Sequence, residues 1–250
     1  MKKLLTALTM LCCTMAANAQ FNLQLHYDMG RYTHSNSEPG RQLVTLTAEY
    51  FNADKWGSTF LFIDMDHGGK GEANHGAMSA YWEIGRDFTI ATWNDSPFSV
   101  TAHMEWDAGL NNTQSFQTAA LLGPALQWHS ADFSKTFSLQ VLYKQYFKAE
   151  FNDAHASFQL TPVWGITFAG GLCTFSGFAD LWYGYRPFKG DDKGLVFLTE
   201  PQFWYNICGD KRQTQRFSIG TEWEISSNFI WGSPDRSFYV NPTLAVKYTF

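Results

Sequence analysis

The sequence predicts an all-β protein, a single antiparallel transmembrane β-barrel of about 12 strands. Three observations lead to this prediction: an export signal at the start, an aromatic but hydrophilic composition, and an alternating segment at the end. Aromatic residues fill 17% of the 250 positions, yet the mean hydropathy is −0.26. Beyond the export signal no stretch reaches the ~18 unbroken apolar residues of a spanning helix. Because only helices and closed barrels satisfy every backbone polar group in lipid, a barrel is indicated.

The N-terminal segment has the three parts of a secretory signal peptide. Lys2 and Lys3 supply a basic start, a short apolar run follows, and small residues precede a cleavage point after Ala19. The apolar run is too short for a permanent anchor, which needs about 20 residues. We therefore expect residues 1–19 to be a cleaved Sec signal peptide and residues 20–250 to be an outer-membrane β-barrel.

The predicted mature chain is acidic. Removing Lys2 and Lys3 from the 18 basic residues leaves 16 against 23 acidic ones, a formal charge of about −7. This balance argues against general nucleic-acid binding, because a nucleic-acid backbone attracts basic surfaces.

The C-terminal segment predicts a strand with one apolar face and one polar face. The apolar face contains Val240, Leu244, Val246, Tyr248 and Phe250, and the polar face contains Asn241, Thr243, Lys247 and Thr249. The terminal aromatic residue, with a second aromatic two places earlier, resembles the C-terminal signature of outer-membrane barrels. That resemblance implies the outer membrane of a Gram-negative-type bacterium and recognition of Tyr248 and Phe250 by the barrel-assembly machinery.

Alternating segments of about ten residues, separated by turn residues, precede this strand. The predicted strands are 23–32, 42–51, 58–66, 77–86, 99–107, 118–128, 136–147, 157–167, 174–185, 195–207 and 216–225. The segment 99–107 is the clearest interior case, because Val100 and Met104 alternate with His103 and Glu105. The segments 136–147 and 216–225 alternate in the same way. Long polar loops such as 34–40 and 67–76 alternate with short turns such as 52–57, as two different rims require.

Two cysteines remain in the predicted mature chain, Cys173 and Cys208. Alternation places Cys173 toward lipid and Cys208 toward the interior or the rim, which disfavours a disulfide. A β-bulge between them would allow one, so the pairing stays open.

The side chains that alternation directs inward are acidic and aromatic. The acidic and amide positions are Asp28, Asp64, Asp66, Glu83, Glu105, Asp107, Asp180, Glu200, Gln202, Glu222 and Glu224, and the rings are Phe60, Phe62, Tyr81 and Trp182. Aromatic faces stack on flat rings, and carboxylates accept hydrogen bonds from hydroxyl groups. This combination indicates a nucleoside or a sugar as the solute. The alternative is that the charges fill a narrow barrel and pair with Lys144, Arg86 and Lys247.

Three segments resemble a known family: 56–66, which includes Phe60, Phe62, Asp64 and Asp66; Asn74-His75-Gly76 with the following Tyr81-Trp82-Glu83; and 200–205, which begins Glu200-Pro201-Gln202. They are similar to the Tsx family of nucleoside-specific channel-forming outer-membrane proteins and its relatives. The resemblance implies a monomeric twelve-stranded barrel through which nucleosides diffuse past weak binding sites. By position, the matching residues are Phe60, Phe62, Asp64, Asp66, Glu83, Glu200 and Gln202.

We therefore predict a passive outer-membrane channel for small polar solutes, nucleosides first. The predicted binding residues are Phe60, Phe62, Asp64, Asp66, Tyr81, Glu83, Glu105, Asp180, Trp182, Glu200 and Gln202. We expect no enzymatic activity, cofactor or metal. The expected partners are outer-membrane lipid and the solute, without nucleic acid.

Two other classes of function remain open. The first is a structural or adhesive barrel without transport. The second is an outer-leaflet lipid-modifying enzyme built on a Ser or His system, for which His67, His75, His103 and His155 and the hydroxyls of Ser79 and Ser99 are available. No spacing singles out a triad, and the histidines of the 67–76 loop do not by themselves indicate a metal site.

Overall fold

Residues with β-branched and aromatic side chains, alternating with polar ones, form strands through most of the chain. The computed structural model describes residues 19–30, 43–68, 76–93, 96–112, 115–150, 152–185, 193–208, 217–230 and 238–250. The strands are β1 Ala19–Asp28, β2 Val44–Asp54, β3 Gly57–Gly68, β4 Gly76–Thr92, β5 Phe98–Asn111, β6 Ala119–His129, β7 Lys135–Tyr146, β8 His155–Phe168, β9 Cys173–Tyr185, β10 Lys193–Thr199, β11 Gln202–Cys208, β12 Phe217–Ser227 and β13 Phe238–Thr249. Across these ranges no helix has the length and apolar character needed to cross a membrane.

The strands form one closed antiparallel sheet. Strands that follow one another in sequence pair with each other, except β10 and β11, and β1 also pairs with β13, so that Asn22 lies opposite both Glu49 and Thr249. The backbone N–H of Phe250 donates to the carbonyl of Phe21 at 2.9 Å and completes the seam. Among the described strands the closed sheet leaves no edge unpaired, which is the condition for a β-structure in lipid.

The strands β10 and β11 are two halves of one crossing. Both pair with β9 on one side and β12 on the other, and they are separated only by Glu200 and Pro201. Proline has no N–H to donate to the ladder, which accounts for the interruption. The barrel therefore has twelve crossings, and the predicted fold class and strand number are confirmed.

The two faces of the wall differ as the alternation predicts. On β5, Thr101 and His103 are buried inside the barrel, while Met104 is exposed on the outside. The predicted alternation is likewise found on β7, β12 and β13. Many large apolar side chains point outward, including Leu122 and Val141, which are 54% and 55% exposed in the isolated chain. Such an outer face suits hydrocarbon and is unfavourable in water.

Strand ends differ from the predicted ones where pairing extends the ladder. The first strand is β1 Ala19–Asp28 and not 23–32, because its beginning pairs with β2 from Ala19 opposite Asn52. The strand β4 runs on to Thr92, well past residue 86, because β5 continues to pair with it. In both cases the partner strand decides the end.

One rim of the barrel carries the beginning of β1, the end of β13, the short connections 55–56, 93–97, 130–134 and 169–172, and the longer connection 209–216. The opposite rim carries the longer connections 29–43, 69–75 and 186–192, much of which lies outside the described residues. Apart from the connection 209–216, this agrees with the predicted alternation of long loops and short turns. The predicted signal peptide also lies outside the described residues, apart from Ala19, and stays a prediction.

Candidate functional site

The predicted binding residues of β3 and β4 share the inner face of the barrel. In the register, Phe62 lies opposite Glu83, and Asp64 lies opposite Tyr81. Phe62, Asp64, Tyr81 and Glu83 all remain partly accessible from the lumen. Two neighbouring strands therefore bring rings and carboxylates together, because opposite residues of an antiparallel pair point to the same side.

Aromatic rings form a continuous ladder along this part of the wall. Neighbouring ring centres are 6.1 Å apart for Phe60 and Phe62, 6.0 Å for Phe62 and Tyr81, and 6.0 Å for Tyr81 and Phe116. Phe60 is at the end of the ladder near the short turns and is 41% exposed. At the other end a cavity of about 270 Å³ lies beside Phe116 and is lined by Ser115, Phe116, Thr118, Lys148, Ala149 and Glu150. The ladder thus runs from one mouth of the barrel toward the other.

Asp64 and Asp66 are held by hydroxyl groups of neighbouring strands. The Thr47 hydroxyl donates to Oδ1 of Asp64. Asp66 accepts from Thr45 on one oxygen and from Ser79 on the other, each at 2.6 Å. Both oxygens of Asp66 are therefore engaged, whereas Asp64 has an oxygen with no described hydrogen bond to the protein.

A group of three carboxylates lies deeper on the same wall. The carboxylate oxygens of Glu83, Glu105 and Asp107 come within 4.8 Å of one another. Asp107 forms an ion pair with Lys144, whose Nζ is 3.0 Å from Oδ2 and 2.7 Å from Oε1 of Gln159. This lysine neutralises only part of the group.

The remaining predicted residues lie on β9 and at the junction of β10 and β11. Asp180 accepts a hydrogen bond from the Thr161 hydroxyl, and Trp182 has the Lys144 ammonium 5.4 Å from its ring centre. The carboxyl group of Glu200 interacts electrostatically with those of Glu222 and Asp64, so acidic groups of separate strands face one another. These residues line the same lumen but do not form one compact site.

Gln202 belongs to a packed hydrogen-bonded group. Its side-chain nitrogen donates to Glu222 at 2.6 Å, and its oxygen accepts from the indole of Trp204 at 2.8 Å. Trp204 is completely buried inside the barrel, and the Lys247 ammonium lies 4.1 Å from its ring centre. Both polar atoms of the Gln202 side chain are therefore hydrogen-bonded within the barrel wall.

The three basic residues predicted to neutralise the lumen have three different environments. Lys144 pairs with a lumenal carboxylate, as the alternative reading expected. The expectation for Arg86 is wrong, because it faces outward and forms an ion pair with Asp54 at 2.8 Å. Lys247 is inside, where its ammonium lies 4.1 Å from the ring centre of Trp204 and interacts electrostatically with Glu49 without a described ion pair. Carboxylates therefore outnumber ammonium groups on the described inner face.

Several inward residues were not singled out from the sequence. His26 is buried between the side chains of Gln24 and Thr243, and Glu49 accepts a hydrogen bond from Asn22 at 2.9 Å. The alternation of Asn22, Gln24 and His26 with apolar residues was a visible signal for this strand. Phe116 follows no strand pattern and had no comparable signal.

The candidate catalytic histidines do not contact a serine hydroxyl in the described part of the chain. His103 bonds to Asp87 and Glu105 at 3.2 and 3.1 Å, and His155 bonds to the backbone carbonyl of Asp153. Ser79 donates to Asp66 and not to a histidine. His75 and most of the glycine-rich loop lie outside the described residues.

Cys173 faces outward at the beginning of β9 and forms no disulfide with any described side chain. This agrees with the side that alternation assigns to it. The side chain of Cys208 lies outside the described part of the structure, so the predicted choice between free and paired cysteines is not tested.

Comparisons with known proteins bear on the fold. A family model described as "Domain of unknown function (DUF5020)" matches residues 19–250. No curated protein matches the sequence. Among solved structures, the NanC porin matches with a TM-score of 0.56 and 10% sequence identity, covering 91% of this chain and 98% of that one. The KdgM porin matches with a TM-score of 0.48 and 12% identity, covering 92% and 99%. The likeness to the NanC porin shows a shared porin-type barrel, and at this identity it shows the fold alone.

Proposed function

The chain belongs to the DUF5020 family, and we propose that it is a passive outer-membrane channel for small polar solutes, with nucleosides as the preferred class. The observation that carries this proposal is the aromatic ladder beside partly accessible carboxylates on β3 and β4. Phe62 and Tyr81 offer ring faces, and Asp64 and Glu83 offer hydrogen-bond acceptors at the same depth.

This arrangement matches the two halves of a nucleoside. A flat base stacks on an aromatic face, and ribose hydroxyls donate to carboxylates. Tyr81 and Glu83 are already joined by a hydrogen bond of 2.8 Å, so ring and acceptor are held in a defined relation. Ordered groups of this kind lose little conformational freedom on binding, which lowers the free-energy cost of holding the solute.

The charge of the inner face supports neutral and cationic solutes over anions. Like charges near a low-dielectric wall repel an entering anion, and water in the lumen screens this only in part. Nucleosides are uncharged at neutral pH and therefore enter without this penalty, whereas nucleotides would not.

The test is single-channel conductance of the refolded barrel in planar bilayers with nucleosides, sugars and amino acids added in turn. We expect nucleosides to block the current in a saturable way. The block should be severalfold weaker in the Phe62→Ala variant, because the aromatic face on which the base stacks is lost and such stacking contributes about 1–3 kcal/mol to binding. The matched control is Phe203→Ala, since Phe203 is an outward-facing ring. Equal block of the Phe62→Ala channel, or stronger block by sugars than by nucleosides, would refute nucleoside preference.

A structural barrel without transport is the second candidate, and one observation favours it. The inner face near the seam is tightly filled, since Gln24, His26 and Trp204 are 0–2% exposed and bond to each other or to their neighbours. Such a filled sector leaves less room for solute. The absence of any conductance from folded barrels in the same bilayers would establish this reading and exclude the channel.

A further inference from the structure

The three carboxylates of Glu83, Glu105 and Asp107 form an unusually close group within the barrel. Glu83 lies opposite Asp107 across β4 and β5, and Glu105 shares the inner face with Asp107 two residues earlier. One oxygen from each comes within 4.8 Å of the others. Three negative charges at this separation repel strongly unless something compensates them.

Each carboxylate is oriented by one donor that bonds to one of its oxygens. The Tyr81 hydroxyl donates to Oε1 of Glu83 at 2.8 Å. His103 Nε2 lies 3.1 Å from Oε2 of Glu105. Outer groups that hold one oxygen and leave the other available are the usual support of metal-ligating carboxylates.

Asp107 supplies an independent observation. The Lys144 ammonium engages Oδ2 at 3.0 Å, but Oδ1 is buried without a hydrogen-bond partner in the described part of the chain. The residue is only 4% exposed. Buried polar atoms in native proteins nearly always have a partner, so an unpaired carboxylate oxygen inside an acidic group indicates a ligand.

The charges of the group match a divalent cation. Three carboxylates and the Lys144 ammonium leave two negative charges. His103 does not change this balance, because it also lies 3.2 Å from Asp87, whose charge offsets a protonated imidazole. Carboxylate oxygens are hard ligands, and oxygens up to 4.8 Å apart suit the Ca²⁺ bond length of about 2.3–2.6 Å better than the shorter bonds of Mg²⁺.

We propose that Glu83, Glu105 and Asp107 form a Ca²⁺-binding site in the lumen wall. The bound cation would reduce the negative charge of the lumen and would offer open coordination positions to hydroxyl groups of a passing solute. The site follows from the wall geometry and does not depend on which solute, if any, the barrel transports.

The test uses Tb³⁺ as a luminescent substitute for Ca²⁺ on the refolded, metal-free barrel in detergent. The Tyr81 ring is within one hydrogen bond of the site, so excitation of the aromatic side chains is expected to sensitise Tb³⁺ emission. We expect one site per barrel, displacement by Ca²⁺, and a loss of affinity of about tenfold or more in Asp107→Asn and in Glu83→Gln.

The matched control is Glu49→Gln, which removes an inward carboxylate on β2 that accepts a hydrogen bond from Asn22. We expect less than about a twofold change in Tb³⁺ affinity. Equal weakening by Glu49→Gln and Asp107→Asn would show general attraction to an acidic lumen and overturn the site. Absence of saturable emission in the folded wild type would overturn it as well and indicate a proton shared within the group.

Folding of each variant is checked by the change in gel migration on heating. Glu83→Gln keeps the shape of the side chain and leaves the Lys144 pair intact, so it tests the site even if Asp107→Asn does not fold. Binding is measured without solute flux. A barrel that binds Ca²⁺ but does not conduct would refute the channel alone, and a conducting barrel that ignores Ca²⁺ would refute the site alone.

Discussion

The wall formed by β6 and β7 and the wall formed by β3, β4 and β5 face the same lumen with opposite chemistry. On the first wall Ala119, Leu121 and Leu142 are almost completely buried and pack together. On the second wall the inward side chains include carboxylates and aromatic residues, of which Phe62, Tyr81 and Glu83 retain partial accessibility while Asp107 is buried. The comparison shows that one barrel can combine a packed, apolar sector with a polar, accessible one.

Lys144 lies at the boundary between these sectors. It lies on β7, two residues after Leu142 of the packed sector, and its ammonium reaches Asp107 of the acidic wall and the rings of Tyr146 and Trp182 at 5.2 and 5.4 Å. The packed sector thus supplies the cation that the acidic sector lacks. This division can be tested by removing one element of it at a time.

The largest effect is expected from Lys144→Met. Removing one partner of a buried ion pair leaves the other charge uncompensated and costs about 3–5 kcal/mol of unfolding free energy. Urea unfolding in lipid vesicles at neutral pH without divalent cations measures the loss. The control is Lys148→Met, whose exposed ammonium lies 3.9 Å from Asp153 and which should change stability by less than about 0.5 kcal/mol. Equal losses of unfolding free energy in the two variants would refute the role of Lys144 as the cation that links the two sectors.

A smaller loss is expected from Leu142→Ala in the apolar sector. Truncating a buried leucine costs about 2–5 kcal/mol, and we expect roughly 2–3 because neighbours in an open lumen can relax into the space. The same unfolding measurement checks it. Leu142→Met keeps the volume and should cost less than Leu142→Ala, under about 1.5 kcal/mol. If Leu142→Met lowers the unfolding free energy as much as Leu142→Ala does, side-chain packing does not stabilise this sector.

The smallest effect is expected at Asp132, in the turn between β6 and β7. Hydrogen bonds from the hydroxyls of Ser130 and Ser134 and from the Ser134 N–H lower the pKa of Asp132 to about 2. A lowered pKa in the folded state means that the ionised carboxylate contributes stability above its unfolded pKa of about 4. That contribution is lost as the pH falls through about 2, because the carboxylate is then protonated in both states.

Carboxyl-carbon NMR of the folded barrel is expected to give a titration midpoint near 2 for Asp132. The stability difference between wild type and Asp132→Asn should be constant above about pH 4 and vanish below about pH 2. A midpoint near 4 would show that the hydrogen bonds of this exposed turn do not persist in solution.

Much of the lumen could be read from the sequence because alternation within a strand is a local property. The inward position of Asp64, Glu83 and Glu105 follows from side chains pointing to opposite faces at successive residues. The same rule already places Arg86, three residues after Glu83, on the outer face of the strand. The expectation that Arg86 neutralises charge in the lumen therefore conflicted with the pattern itself. The beginning of β1 at Ala19 could not be predicted, because the residues before Asn22 join the ladder through pairing with β2.

The sequence by itself determined that the chain forms a closed barrel and which face of most strands points outward. The reason is physical: a two-residue period of polarity and an aromatic outer face permit few other structures in lipid. The tertiary structure alone decided which inward groups meet, such as Lys144 with Asp107 and Lys247 with Trp204. These partners are far apart in the chain, and their contact depends on the register of every strand pair and on the closure of the sheet, which no local pattern contains.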